Sequence, residues 1–149
     1  MCDDSLPVPI EPLTAEGFAP FGEAIAPRQE PAAMNDGSAL RHADLATAVP
    51  GEGGRVTIGL VESRSAMALP LAVRLRERHP LATQAFVPLA PFDFLVVAAP
   101  PQPAPVRAGT LRAFRARAGQ GINYAAGVWH HPLLALAAGQ RFLVVDRAG

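Results

Sequence analysis

A chain of 149 residues has room for one domain with a sizeable core and not for two, so residues 1–149 are read as a single domain. Its thirteen Asp and Glu balance thirteen basic residues, all of them Arg, and a chain of zero net charge offers no field to gather nucleic acid or an anionic membrane surface. The lone Cys2 excludes a disulfide framework and fits a cytoplasmic protein, no apolar run nears the ~20 residues of a membrane helix, and the opening Met-Cys-Asp-Asp lacks both regions of a secretory signal.

Sixteen Pro and thirteen Gly, spread along the chain, leave few windows for a helix of a dozen residues, and the composition predicts an all-β domain of short strands and many turns. Val8 to Ile10 opens a strand, and Thr14 has the chemistry of an N-cap for a single helical turn carrying Phe18, which Pro20 and Gly22 stop. Glu23 to Ala26 is extended, and Pro27 to Ser38 reads as a loop with a turn at Asn35, Asp36 and Gly37. Leu40 to Ala48 fits either strand or helical turn, Pro50 to Gly54 is a connection, and Arg55 to Ser63, with Val56, Thr57, Ile58 and Val61, is a strand.

Leu71, Val73 and Leu75 alternate with Arg74, Arg76 and Arg78 at the two-residue period of a half-buried strand. Continued, the alternation puts Glu77 and His79 on the apolar face and leaves the Arg stripe in solvent. Pro80 ends this strand, and Thr83 to Leu89 forms the next, with Gln84 and Phe86 on one face. Phe94 to Ala99 is apolar throughout, as in a central strand covered on both sides, and a Pro-rich connection follows from Pro100 to Pro105. Leu111 to Arg117 alternates again. Gly139-Gln140 makes a turn before a last strand, Phe142 to Val145.

The stretch from Gly121 to Leu136 holds the single Tyr124, the single Trp129, and two of the four His, His130 and His131. Pro132 biases His131 toward extended backbone, so the two imidazoles sit at the mouth of a short strand through Leu133, Leu134 and Leu136 and point in opposite directions. One of the pair is therefore structural, and the sequence does not say which. Glu77 and His79, a turn, and then Gln84 give a ligand-x-ligand-turn-ligand order that converges on one point of a hairpin, with His130 available as a fourth vertex. Imidazole, carboxylate and amide oxygen together suit a first-row divalent ion. Equally, Glu77 can pair with an Arg and His79 with a backbone group, since a buried charge needs some partner.

The arrangement resembles the cupin superfamily, with Glu77 at the place of the first motif's first His, Gln84 at that of its Glu, and Ala125-Ala126-Gly127 at the turn before His130. Leu69-Pro70-Leu71, Glu77-Arg78-His79-Pro80-Leu81, Thr83 to Leu89, Gly121-Ile122-Asn123-Tyr124, Trp129-His130-His131-Pro132-Leu133 and Asp146-Arg147, taken together, resemble the ureidoglycolate lyase family from about Ile10 onward. The resemblance implies a cupin-like β-barrel (a double-stranded β-helix or jelly roll) with one or two short helical turns. It also implies a homodimer that splits ureidoglycolate into glyoxylate and urea in allantoin degradation, with an associated divalent metal ion and no organic cofactor. His42 stands where the family has an aromatic after Arg41.

Such an elimination needs a base for the carbinol hydroxyl and an acid for the departing nitrogen. His130, His79 and Glu77 are the candidates for these roles, and with Gln84 they are the candidate metal ligands. Arg41, Arg64 or Arg147 can pair with the substrate carboxylate, and Gln84 and Asn123 with its ureido group. Trp129 and Tyr124 are candidate substrate walls, or else core or interface aromatics. The rival to an enzyme is a cupin-like module that binds a small carboxylate without turnover.

Overall fold

The computed structural model describes residues 7–73 and 77–149. Cys2 lies outside the described residues. The secondary structure is β throughout, apart from one helical turn and one 3-10 turn: β1 (Ile10–Pro12), α1 (Ala15–Phe18), β2 (Gly22–Ile25), β3 (Ala32–Met34), β4 (Ala39–Arg41), β5 (Arg55–Glu62), β6 (Gln84–Pro88), β7 (Phe94–Ala99), the 3-10 turn Ala108–Thr110, β8 (Arg112–Ala116), β9 (Gly121–Tyr124), β10 (Trp129–His130), β11 (Leu134–Ala135) and β12 (Arg141–Ala148). No helix among the described residues is long and apolar enough to cross a membrane.

Two five-stranded sheets face each other in a cupin-like arrangement. The first runs β1-β8-β7-β10, with β11 also on β7; the second runs β2-β9-β6-β12-β5. Hydrogen bonding does not close them into a continuous barrel among the described residues. Phe94, Val96 and Phe114 of the first sheet meet Phe86, Ile122, Tyr124, Phe142 and Val144 of the second in one buried cluster, which α1 caps with Phe18. Edge-to-face rings fill it: Phe18 stands 5.3 Å from Phe114 at 78°. The Thr14 cap forms as expected, its hydroxyl accepting from Gly17 N–H at 3.0 Å. β7 is buried at all six positions, the burial expected of a central strand.

Three elements differ from the sequence expectation. The segment read as a loop at Pro27 to Ser38 contributes β3, which pairs with β4 as a hairpin. Its turn is where the Asn-Asp-Gly signal lies, with Asn35 and Asp36 in the left-handed region at φ 53° and 54°. Leu71 to Val73 is not a strand; Leu71 and Val73 pack instead on a second, smaller cluster around Leu95, Val97, Ala113 and Leu134. Their alternation records one-sided packing without a strand partner. Residues 74–76 lie outside the described residues, and Glu77 rejoins the sheet only as a single bridge to His130. Glu77 and His79 turn toward the buried His130, as the alternation expects, but both stay exposed at the rim and are not buried in the core.

The close approach of β9 to β6 depends on Gly121, where an added Cβ would sit 2.6 Å from the Phe86 carbonyl oxygen and 3.2 Å from Val87 Cα. Neither backbone atom can move without shifting the ladder. Gly121→Ala is expected to destabilise the protein by about 2 kcal/mol, read as a fall in the urea midpoint at unchanged slope.

Candidate active site

β10 is two residues long, so pleating sends its side chains to opposite faces. His130 points between the sheets and is 2% exposed, while Trp129 points outward, its Nε1 donating to the Gln102 carbonyl at 2.8 Å. The His130 ring lies against Tyr124 of the opposite sheet, with centroids 4.2 Å apart and planes within 10°. His79 stacks at 5.4 Å. Burial raises the Tyr124 pKa, with the Glu77 carboxylate adding to it, so the phenol keeps its proton.

His130 Nδ1 is 3.3 Å from the Val128 carbonyl, a group that can only accept, so Nδ1 is assigned the proton of the neutral ring. The lone pair is then on Nε2. Burial lowers the pKa of this imidazole, and His79 adds to the effect; the Val128 carbonyl and the Glu77 carboxylate oppose it without reversing it. Nε2 lies 3.3 Å from Glu77 Oε2, yet it is buried without a hydrogen-bond partner among the described residues. A lone pair facing a carboxylate is a contact between two acceptors, which a cation between them would relieve. Ligand atoms of Glu77, His79 and His130 lie within 4.8 Å of one another. Two nitrogens and a carboxylate oxygen form a donor set for a divalent first-row ion, and the Val128 carbonyl fixes the ring so that Nε2 is the ligating atom. These three residues can hold a metal ion.

The second sheet supplies the facing wall. Gln84 lies opposite Tyr124 in the β6–β9 register, and its Nε2 donates to Asp146 Oδ2 at 3.4 Å. Thr57 Oγ1 donates to Asp146 Oδ1 at 3.1 Å. Gln84 Oε1 is buried without a partner among the described residues. Beside this wall a cleft of about 200 Å³ is lined by His79, residues 80–83, Asp146 and Arg147.

Of the residues singled out from sequence, Glu77, His79 and His130 come together, and Gln84 faces Tyr124 and Asp146 on the same side of the second sheet. Arg147 lines the cleft, with its Nη1 donating to the carbonyls of Pro50 and Glu52 at 2.6 and 3.2 Å. The others are placed elsewhere. Asn123 is on the face of β9 opposite Tyr124, its amide donating to Glu23 Oε1 and the Thr47 carbonyl. Arg41 is exposed on the β3–β4 hairpin. Arg64 lies past the end of β5, seven residues beyond Thr57 and so roughly 20 Å along the strand from the Asp146 level. Trp129 is on the outer face under the Arg78 guanidinium, 4.7 Å from the ring centroid. His131 keeps to the ladder, its N–H donating to the Val97 carbonyl and its Nδ1 2.9 Å from the Pro132 carbonyl, so of the two adjacent imidazoles His130 is the one in the cluster.

Asp146 is not among the expected site residues, and Tyr124 is there only as a substrate wall or else a core or interface aromatic. Both had a signal: Phe142, Val144 and Asp146 share one face of β12 by alternation, and Ile122 and Tyr124 share one face of β9.

A family model described as ureidoglycolate lyase matches residues 5–149. The ureidoglycolate lyase of Pseudomonas entomophila (strain L48) is 48% identical over 141 residues, covering 94% of this chain and 84% of its own. That of Stutzerimonas stutzeri (strain A1501) is 49% identical over 144 residues, with 94% and 82% covered. That of Azotobacter vinelandii (strain DJ / ATCC BAA-1303) is 46% identical over 144 residues, with 94% and 84% covered. With a match along nearly its whole length and relatives that share almost half its residues, the chain belongs to the ureidoglycolate lyase family.

Proposed function

We propose that this protein is a ureidoglycolate lyase of allantoin degradation, releasing glyoxylate and urea, and that it works in the cytoplasm as a homodimer. The observation that carries the reading is the buried, neutral His130 Nε2 facing Glu77 beside His79 at the edge of a cleft, in a chain of this family. The homodimer is supported by the edge strand β5, which leaves Ile58 71% and Leu60 61% exposed, an apolar surface that a second copy can cover.

In ureidoglycolate one carbon carries a hydroxyl, a carboxylate and the ureido nitrogen. Elimination moves the hydroxyl proton to a base, converts the O–H electron pair into the new carbonyl bond, breaks the C–N bond, and returns a proton to the departing nitrogen. The proton count balances within the site. Two carboxylates border the reacting position: Glu77, which can act as base when no ion engages it, and Asp146 on the other wall. Gln84 Oε1, buried without a partner among the described residues, is suited to accept from a ureido N–H. Arg147 borders the cleft, and its guanidinium, which donates from Nη1 to the carbonyls of Pro50 and Glu52, is the group offered to the substrate carboxylate. Glu77, His79 and His130 would hold a divalent ion, which when bound supplies polarisation of the substrate oxygens.

The test uses purified protein and racemic ureidoglycolate. One enantiomer is expected to yield glyoxylate and urea faster than spontaneous breakdown; saturable binding with no product would instead mean a carboxylate-binding module. Dialysis against a chelator is expected to lower the rate at least tenfold, with recovery on adding a divalent metal, as for a ligand set whose loss removes Lewis-acid assistance. A rate unaffected by chelation would remove the metal from the proposal and leave an acid–base enzyme.

A further inference from the structure

The segment that carries Glu77 and His79 has few ties to the fold. Among the described residues its backbone is fixed by a single bridge, with His130 N–H donating to the Glu77 carbonyl at 3.0 Å and Glu77 N–H to the His130 carbonyl at 3.4 Å, and by Gly127 N–H donating to the His79 carbonyl at 2.8 Å. Both side chains are exposed. Two of the three candidate ligands thus ride on a strap with few backbone ties among the described residues.

The bridge also fixes what lies on the strap's other face. Antiparallel pairing of Glu77 with His130 sets Arg78 opposite Trp129, and directly opposed residues share a face. Glu77 and His130 are therefore on the inner face, Arg78 and Trp129 on the outer one. There the Arg78 guanidinium lies over the Trp129 ring at 4.7 Å, within the range of a cation–π contact. Trp129 is itself fixed, since its Nε1 donates to the Gln102 carbonyl at 2.8 Å and its ring borders an apolar hollow beside Pro105, Val106 and Leu111. One anchored ring thus holds the strap by its middle residue, and the residues on either side of that one are the candidate ligands.

We propose that Arg78 and Trp129 are positioning residues, an outer clamp that sets the spacing of Glu77 and His79 against His130 and so the affinity of the inner cluster for a divalent ion. The proposal deepens the functional reading above and rests on it. Arg78 touches no reacting atom. It acts by removing freedom from the strap, so that ion and substrate meet a cluster already at its working spacing.

The test is a double-mutant cycle on Arg78→Ala and Trp129→Leu, read by three measurements: divalent-metal affinity of the stripped protein by competition with a chromogenic chelator, kcat and KM for ureidoglycolate, and melting temperature. Arg78→Ala is expected to weaken metal affinity and lower kcat/KM by about 10-fold, the lower end for residues that orient ligands from behind. Most of the loss should fall in kcat, and the melting temperature should stay near that of the wild type because the side chain is exposed. The double variant should cost no more than Trp129→Leu alone, because either change opens the clamp. Arg78→Lys, which keeps a cation over the ring, should recover part of the loss. A residue with only a structural role would shift melting and leave metal affinity alone.

Wild-type metal affinity and kcat/KM in Arg78→Ala, or fully additive losses in the cycle, would overturn the clamp while leaving the lyase reading intact. A wild-type protein that neither binds the ion nor turns over ureidoglycolate would overturn both.

Discussion

His130→Asn is expected to lower kcat/KM for ureidoglycolate by about 10³-fold, within the range for removal of a positioned acid–base group, while leaving the fold in place. The choice of Asn follows from the two ring nitrogens. The side-chain amide can keep a donor near the Val128 carbonyl, which now faces Nδ1 at 3.3 Å, but it brings no basic nitrogen to the place of Nε2. Every function offered for this residue, as proton carrier or as ligand, depends on the Nε2 lone pair opposite Glu77 Oε2. The rings on either side, Tyr124 at 4.2 Å and His79 at 5.4 Å, lose a stacking partner but no hydrogen bond. A melting temperature near that of the wild type, together with the collapse in rate, would assign the loss to chemistry. A rate within a few-fold of the wild type would show that the reaction takes place elsewhere, whatever the family. His131→Asn is the matched control: among the described residues that imidazole bonds only to its own neighbour's carbonyl, and the change is expected to leave the rate within a few-fold of the wild type.

The sheet-forming segments were legible where burial is one-sided or complete. The unbroken apolar run at 94–99 became the central strand, and the alternations at 84–88 and 112–116 became strands with the expected bounds to within a residue or two. The alternation at 71–79 misled because period-two burial requires only an extended segment lying on an apolar surface. Strand formation also needs a partner's backbone, and among the described residues of this segment only Glu77 finds one. In the candidate site, the convergence of Glu77, His79 and His130 was readable because residues two apart share a face and because the Trp-His-His-Pro stretch concentrates rare side chains. The Arg candidates were not separable by sequence: pairing with a carboxylate depends on which end of a strand reaches the cleft, and that is set by the β5–β12 register, which brings Arg147 to the cleft and leaves Arg64 at the far end. Asn123 was misplaced for a different reason. Its amide suits a ureido group, but Ile122 and Tyr124 on either side claim the inner face, and parity turns Asn123 outward to Glu23 and Thr47.

Phe142→Ala is expected to remove about 3–5 kcal/mol of stability, the range for deleting a fully buried aromatic ring, and to lower the melting temperature by about 10 °C in a domain of this size. Phe142 is fully buried. Its ring meets three others edge to face: Phe92 at 5.2 Å, Phe94 at 5.1 Å and Phe86 at 6.5 Å. Phe94 belongs to the first sheet and Phe86 to the second, so this one ring joins the two layers, and no neighbour can fill its volume without leaving the other layer. The same inner face of β12 runs from Phe142 through Val144 to Asp146, four residues on and about 13 Å away. The lesion is thus remote from the cleft, and kcat/KM at 25 °C, corrected for the folded fraction, should stay within about twofold of the wild type, as for a site that does not touch the chemistry. Chemical denaturation read by the fluorescence of Trp129 checks the first expectation and steady-state kinetics the second. A loss below about 1 kcal/mol would mean that the layers are not packed through this ring. A large loss of activity in the folded protein would mean that Asp146 and the rest of its wall depend on the core beneath them.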